Sequence, residues 1–346
     1  LLIKILNKMS LDFTCGYLSA VQAKADAIFA DPILNNDAIV NTETAKAVLE
    51  QQRGMIRMPS IEGTKNKELR VEWLTKCSPE TDECSDDCVI TGEDAAPECK
   101  TYELECLQET TFKVPERVYR DRSIESVDSI AFQMVRHMGA LDQWVSQYVI
   151  TGILANAGLN LFTGGAGSVS GTTTFIAPQY WDDAIWGYFA QVQQMNMFRN
   201  AYAITGNNLY QLLWNRPLEA GNAQDGAANV RKMGTLPMYI DPFNMETYAA
   251  GQTFLIHKGS LAFINKAWNP LNAANAIEPA PGHFLWSEPS RNLPGVTYDV
   301  FMIQTCVANE FYEAYKIQLH GLFAVNPYPC NEYNSGTLVF ECGTAT

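Results

Sequence analysis

Between residues 124 and 148 the apolar positions Ile124, Val127, Ala131, Met134, Met138, Leu141, Val145 and Tyr148 recur at alternating spacings of three and four. That period predicts one long amphipathic helix. Ser123 suits its N-cap and Glu125 its first turn, while Gly152 is a weak stop before Asn156 and Gly158. A helix over 123–152 spans roughly 45 Å. The heptad-like spacing covers fewer than four heptads and lacks regular flanking charges. Packing on a sheet is therefore expected rather than a coiled coil.

Upstream, residues 15–30 read as a helix ended by Asp31-Pro32, and Thr42–Gln52 as a second one ended by Gly54. Both are short and weakly amphipathic, which suits an N-terminal arm. Residues 55–118 read as extended strands. Leu69, Val71 and Trp73 share one face, 102–106 alternate, and Pro115 confines its strand to an edge. Such charged alternation suits a ribbon lying on a surface.

Downstream, Gly158–Thr174 reads as a loop and Tyr180–Met197 as a helix with Trp181, Ile185, Tyr188, Val192 and Met195 on one stripe. Strands are expected at 201–205, 236–240, 253–257 and 261–264, with a helix from Leu209 to about Arg216. Residues 269–295 are rich in Pro, Asn and Ala and read as a loop. Two long strands follow, at 297–307 and 311–325. In the second, Phe311, Glu313, Tyr315, Ile317 and Leu319 share a face. The αβ alternation over 175–268 suggests a compact mixed domain, and the class is read as α+β.

Composition sharpens one region. The 346-residue chain carries a formal charge of −14. Residues 72–109 hold 12 acidic side chains against Lys76 and Lys100, so ten of those charges sit in one segment. The rest of the chain is close to neutral, with no broad basic surface of the kind sequence-independent nucleic-acid binding needs. No apolar run approaches the roughly 18 residues of a membrane span. The opening run Leu1–Leu6 is too short for a signal-peptide core.

Five of the nine cysteines fall in the acidic segment: Cys77, Cys84, Cys88, Cys99 and Cys106. Zinc sites bring ligands in close pairs, and only Cys84 and Cys88 approach that spacing. Dense carboxylates also raise thiol pKa values. Disulfides fixing the tip of the ribbon are the simpler expectation, with at least one thiol free or pairing outside the segment. Cys330 and Cys342 flank an Asn334-Ser335-Gly336 turn and are candidates for a hairpin disulfide. Glu80, Asp82, Glu83, Asp86, Asp87, Glu93 and Asp94 form an acidic run without the EF-hand pattern. Gly164-Gly165-Ala166-Gly167 lacks the Lys-Ser/Thr of a phosphate loop, and Val169 occupies the nucleophile position of a G-x-S-x-G elbow. His137, His257, His283 and His320 show no ligand spacing, and His137 and His257 read as satisfied structural imidazoles. No catalytic, cofactor or metal constellation emerges, so a non-enzymatic role is expected.

The order of elements carries more than any motif. An arm, a charged ribbon, one long helix, a mixed αβ region and long returning strands resemble the major capsid protein of tailed phages, the Hong Kong 97-type coat fold. Ala203-Ile204-Thr205-Gly206-Asn207-Asn208-Leu209-Tyr210 resembles the strand-to-helix step of that family's axial domain. Gln252–Ile264 resembles its late axial strands, and the Cys-rich insert resembles variants from phages of the Bacteroidetes group.

The resemblance implies an N-terminal arm at 1–54 and an extended loop at 55–120 with a Cys-rich acidic insert at 77–100. It further implies a peripheral domain from 121–158 and 296–346, and an axial domain at 159–295. It implies self-association as hexamers and pentamers into an icosahedral shell in the virion, assembled in the bacterial cytoplasm. Portal, decoration or scaffolding proteins would be partners, packaged DNA would be met only non-specifically, and no membrane or cofactor is involved. A separate scaffold, or removal of a pro-segment, is an open expectation. Other readings are a tail-tube protein, an encapsulin-like shell, a disulfide-stapled surface-layer protein, or a metal-dependent enzyme using the Cys/acidic segment.

Overall fold

A computed structural model describes residues 15–30, 40–52, 56–57, 68–73, 98–115, 126–162, 164, 167–181, 185–198, 200–207, 209, 230–233, 236–268, 272–307, 310–326 and 336–343. In chain order these form α1 (Cys15–Ala30), α2 (Glu43–Gln51), β1 (Ile56–Arg57), β2 (Glu68–Trp73), β3 (Glu98–Glu103), β4 (Glu105–Pro115) and α3 (Ser126–Ala155). Next come β5 (Gly167–Ser170), β6 (Thr173–Ile176), α4 (Pro178–Trp181), α5 (Ile185–Met195), β7 (Ala201–Thr205), β8 (Val230–Met233), β9 (Leu236–Ile240) and α6 (Pro242–Tyr248). The last set is β10 (Gln252–His257), β11 (Leu261–Asn265), β12 (Ile277–Ala280), β13 (His283–Pro289), β14 (Thr297–Val307), β15 (Glu310–Val325) and β16 (Thr337–Cys342). The fold is α+β, as expected.

The described chain forms two compact units, each assembled from three separate stretches. The first draws on residues 1–46, 104–148 and 263–322; the second on 47–103, 149–262 and 323–346. The division falls inside α3, between Tyr148 and Val149.

In the first unit the strands run in the order β11-β15-β14-β13-β12, with β4 also on β15. Strand β15 is 16 residues long. It pairs antiparallel with β14 from Asp299↔Gln318 to Val307↔Glu310. On its other side it takes β4 from Tyr312↔Pro115 to Gly321↔Glu105, with a bulge between Leu319 and His320. Among the described residues β4 pairs with β15 alone, so the edge position expected from Pro115 is met. The sheet face carrying Glu313, Tyr315, Ile317 and Leu319 is buried, matching the alternation read from sequence.

Helix α3 is 30 residues long. Ala131, Met134, Met138, Leu141 and Val145 of the expected stripe are buried. Val127 and Tyr148 are half-buried, and Ile124 lies outside the described residues. The buried arc is wider than the stripe. It also takes in Ile130, Val135, Asp142, Ser146, Val149, Ile150 and Ile153. Two polar residues, Asp142 and Ser146, break the apolar period there and hid this second face.

The second unit holds a seven-stranded sheet in the order β5-β6-β16-β10-β7-β9-β8. Strand β7 pairs parallel with β9 and β16 parallel with β6, while β10 runs antiparallel to both β7 and β16. Its core combines Ile176, Ile185, Tyr188, Phe189, Val192, Ala203, Met238, Leu255 and Phe340. A separate three-stranded sheet, β1-β2-β3, carries the ribbon.

Four expectations are corrected. Residues 158–174 are not a plain loop: β5 and β6 form a hairpin whose turn places Gly171 at φ 59°. Residues 269–295 hold β12 and β13 rather than a loop, because Phe284, Trp286 and Glu288 bury against the sheet through long-range pairing with β14. The helix expected over 180–197 is described as α4 and α5, with residues 182–184 lying outside the described residues, and Met195 is 53% exposed instead of buried. The ribbon expected over 55–118 divides, since β4 leaves it to join β15. The helix expected from Leu209 to Arg216 lies outside the described residues, apart from Leu209 itself.

Candidate assembly elements and their buried polar clusters

Helix α1, the core of the expected arm, presents Leu18, Val21, Ala25 and Ile28 as one buried stripe in the first unit. Polar ties reinforce it. Gln22 Nε2 donates to Glu288 Oε2 at 2.9 Å, Arg291 Nε donates to Asp26 Oδ1 at 2.9 Å, and Lys24 lies 3.1 Å from Asp128 of α3. The helix thus lies against its own chain.

The ribbon is built by β2 and β3 in antiparallel register from Glu68↔Glu103 to Trp73↔Glu98. Strand β1 adds Ile56↔Trp73 and Arg57↔Glu72. Val71 is fully buried and Leu104, just past β3, is 2% exposed. Thr101, Glu103, Glu105, Cys106, Gln108 and Glu109 are exposed, so this part of the acidic segment meets solvent.

Three of the first unit's buried carboxylates, Asp142, Asp299 and Glu313, anchor its sheet. Asp142 of α3 is 1% exposed and accepts from Ser290 Oγ at 2.6 Å, from Asn292 Nδ2 at 2.8 Å and from the Tyr298 hydroxyl. Burial raises its pKa against the pull of those donors and of Arg291. Asp299 is fully buried and receives the Trp268 backbone N–H on both oxygens at 3.0 Å, with His320 Nδ1 also at 3.0 Å. Glu313 accepts from the Tyr315 hydroxyl at 2.9 Å, and burial lifts its pKa to about 7.

Around Tyr315 an aromatic stack ties helix to sheet. Phe112 of β4 lies 4.8 Å from the Tyr315 ring and 5.0 Å from that of His137, whose Nδ1 meets the Thr110 hydroxyl. Burial, with Arg136 adding to it, lowers the His137 pKa. His257 Nδ1 meets the Lys258 carbonyl at 2.8 Å. Both imidazoles are satisfied, as their positions suggested. His283 is exposed in β13.

In the second unit Asn160 and Asn196 form a buried amide pair at 2.9 Å, extended by Thr174 at 3.0 Å. They receive the Leu161 and Phe162 backbone N–H groups and so fix the chain leaving α3. The Gly167 backbone comes so close to Tyr188 that a Cβ there would stand 2.1 Å from its hydroxyl. Gly167 serves close packing against Tyr188.

Of the cysteines singled out by sequence, Cys77, Cys84, Cys88 and Cys330 lie outside the described residues. Cys99 lies in β3, and Cys106 and Cys342 stand exposed in β4 and β16. Burial and Glu109 raise the Cys106 pKa, so it is a poor thiolate. Among the described residues no group of three or more His, Cys, Asp or Glu side chains is placed to hold a metal ion. No described helix is long and apolar enough to cross a membrane. The buried carboxylates Asp142, Glu288 and Asp299 escaped sequence reasoning, because a single acid inside a helix or strand gives no periodic signal of its own.

No family model matches the chain, and no curated protein does. Several solved structures are similar to it at low identity. The capsid of the Cyanophage P-SCSP1u shares 13% identity at a TM-score of 0.45, over 82% of this chain and 85% of that one. The Cyanophage Pam1 capsid asymmetric unit shares 12% at 0.44, over 82% and 87%. The capsid of the empty GTA particle shares 12% at 0.44, over 86% and 90%.

Proposed function

We propose that this chain is the major capsid protein of a tailed phage. Copies join as hexamers and pentamers and close an icosahedral shell around double-stranded DNA. The observation supporting this reading is the order of elements within the chain. An arm helix and a β-ribbon precede one 30-residue helix, and a mixed sheet and two long returning strands follow it. That is the order on which the sequence resemblance rests. The role is structural rather than catalytic: the buried polar groups described above are spent on holding the arm, sheet and helix in place.

In this reading α1 and the ribbon are contact elements, α3 is the spine, and the axial domain proposed over 159–295 is built on the seven-stranded sheet, which also takes in β16. The shell is the virion capsid, assembled in the host cytoplasm with portal and decoration or scaffolding proteins as partners. Disulfides among Cys77, Cys84, Cys88, Cys99 and Cys106, and between Cys330 and Cys342, belong to the same proposal. Repeated moderate contacts would stabilise such a shell through multivalency.

Purified full-length chain imaged in negative stain is expected to show closed shells with five- and six-fold capsomers. Tubes would instead support the tail-tube reading. A chain that stays monomeric at every concentration would overturn both. Shells that never hold DNA in infected cells would favour the encapsulin-like alternative.

A further inference from the structure

Helix α1 lies over a cluster in which three carboxylates meet one guanidinium. Glu288 of β13 is fully buried. Its acceptors are served by Gln22 Nε2 of α1 at 2.9 Å and by Trp286 Nε1 at a long 3.4 Å. Arg291 is committed to Asp26 of α1 through Nε at 2.9 Å and Nη2 at 2.8 Å, and its Nη1 meets Met138 Sδ of α3 at 3.4 Å. Asp142 of α3 takes its own donors from Ser290, Asn292 and Tyr298. With every acid ionised, one cation faces three anions, and two of the three are shut away from water.

Glu288 is the member left worst served. Asp142 has three donors, and Asp26 is solvated and paired to Arg291. Glu288 has two neutral donors, one of them long. A buried carboxylate so placed resists ionisation. The element that donates to it and seals it is α1, which is also held by an apolar stripe, by the exposed Lys24–Asp128 pair and by Asp26 on the largely buried Arg291. A permanently seated helix would gain more from an apolar or amide residue at 288 than from an acid.

We propose that Glu288 is a proton-operated latch for helix α1. When it is protonated the helix lies down on β13 and the Ser290–Val296 loop; when it is ionised, water is drawn in and the helix lifts. The groups facing Glu288 are Gln22 and Asp26 from α1, Trp286 from its own strand and Arg291 from the following loop; Met138 and Asp142 of α3 lie behind Arg291. Burial sets the titration, raising the Glu288 pKa to about 7. Asp26 raises it further, while Arg291 and the Trp286 and Gln22 hydrogen bonds oppose. Seating is therefore full below about pH 4.5, weakens by up to about tenfold per pH unit as pH rises from there to 7, and levels off above 7.

Hydrogen exchange of the full chain, read peptide by peptide between pH 5.5 and 8.5 and corrected for intrinsic rates, tests this. Protection over residues 15–30 is expected to fall between pH 5.5 and about 7 and to level off above that in the wild type, and to stay level throughout in Glu288→Gln. Glu313→Gln is expected to leave the fall in place, which separates this latch from the unit's other carboxylate raised to about 7. Equal wild-type protection of 15–30 at both ends of the range overturns the proposal, as does an undiminished fall in Glu288→Gln. Should that variant not fold, Gln22→Ala decides: lower protection at every pH, with the fall still present below about pH 7 and levelling above it, supports the latch, and pH-independent protection overturns it.

Discussion

Met197 adopts φ 56° at the end of α5, the only non-glycine among the described residues with a positive φ. The Phe198 N–H reaches the Gln193 carbonyl at 2.7 Å and the Met197 N–H that of Gln194 at 3.2 Å, which is a Schellman ending with methionine in the position glycine favours. The Met197 side chain is 68% exposed, so little packing offsets the strain. Met197→Gly is expected to raise second-unit stability by about 0.5–1 kcal/mol in denaturant titration. Gly321→Ala should do the reverse, since a Cβ there would stand 2.6 Å from the Ile264 carbonyl oxygen. A loss of about 1–3 kcal/mol is expected, as for other overpacked sites. Asp142→Asn replaces an acceptor of three donors with a group that is itself partly a donor. It is expected to cost the first unit about 2–4 kcal/mol in the same titration. Glu313 adds a pH effect. Its carboxyl moves from 4.5 to about 7 on folding, so its neutral form is the one the fold accommodates. That contribution is full below pH 4.5 and is lost as pH rises through 7, on the order of 3 kcal/mol. Melting curves at pH 5 and 8 should therefore differ, and Glu313→Gln should narrow the gap.

At the scale of elements, the sequence was most legible where one short window carried the whole signal. The arm helix at 15–30, β7 at 201–205, β9 at 236–240, β14 at 297–307 and the long β15 all lie where local periodicity placed them. It was least legible where a partner far along the chain supplies the stabilisation. The β5–β6 hairpin reads Gly-Ser-Val-Ser and Thr-Thr-Phe-Ile, too polar to announce a strand. Its place is set by β16, whose Val339 pairs with Thr173. Strands β12 and β13 hide among prolines and asparagines for the same reason, and α6 declares itself only through Asp241-Pro242, where the Asp241 side chain accepts from the Asn244 N–H at 3.2 Å. The ribbon makes a further prediction. Because β3 begins at Glu98, a deletion meant to spare the fold should remove 77–97 rather than 77–100. That variant is expected to keep the wild-type circular dichroism and melting curve while altering particle yield or shape in negative stain. Loss of cooperative melting would mean that the segment belongs to the fold instead of decorating it.

For the whole molecule, each compact unit is completed only by sequence-distant stretches. The first needs residues from α1 through most of β15, and the second from β1 through β16. Strand β16 is not an ornament of its sheet. It sits between β6 and β10, pairing Phe254 with Val339 on one side and Thr174 with Phe340 on the other. A chain stopped at residue 336 would leave β5 and β6 cut off from the other four strands. During synthesis neither unit can close early, in contrast to domains that fold one after another as they emerge. At roughly 5–20 residues per second the nascent chain waits tens of seconds with unpaired strand edges before β16 arrives. The sheet thus acts as a check on completeness, because only a chain translated through its last described strand has a finished second unit.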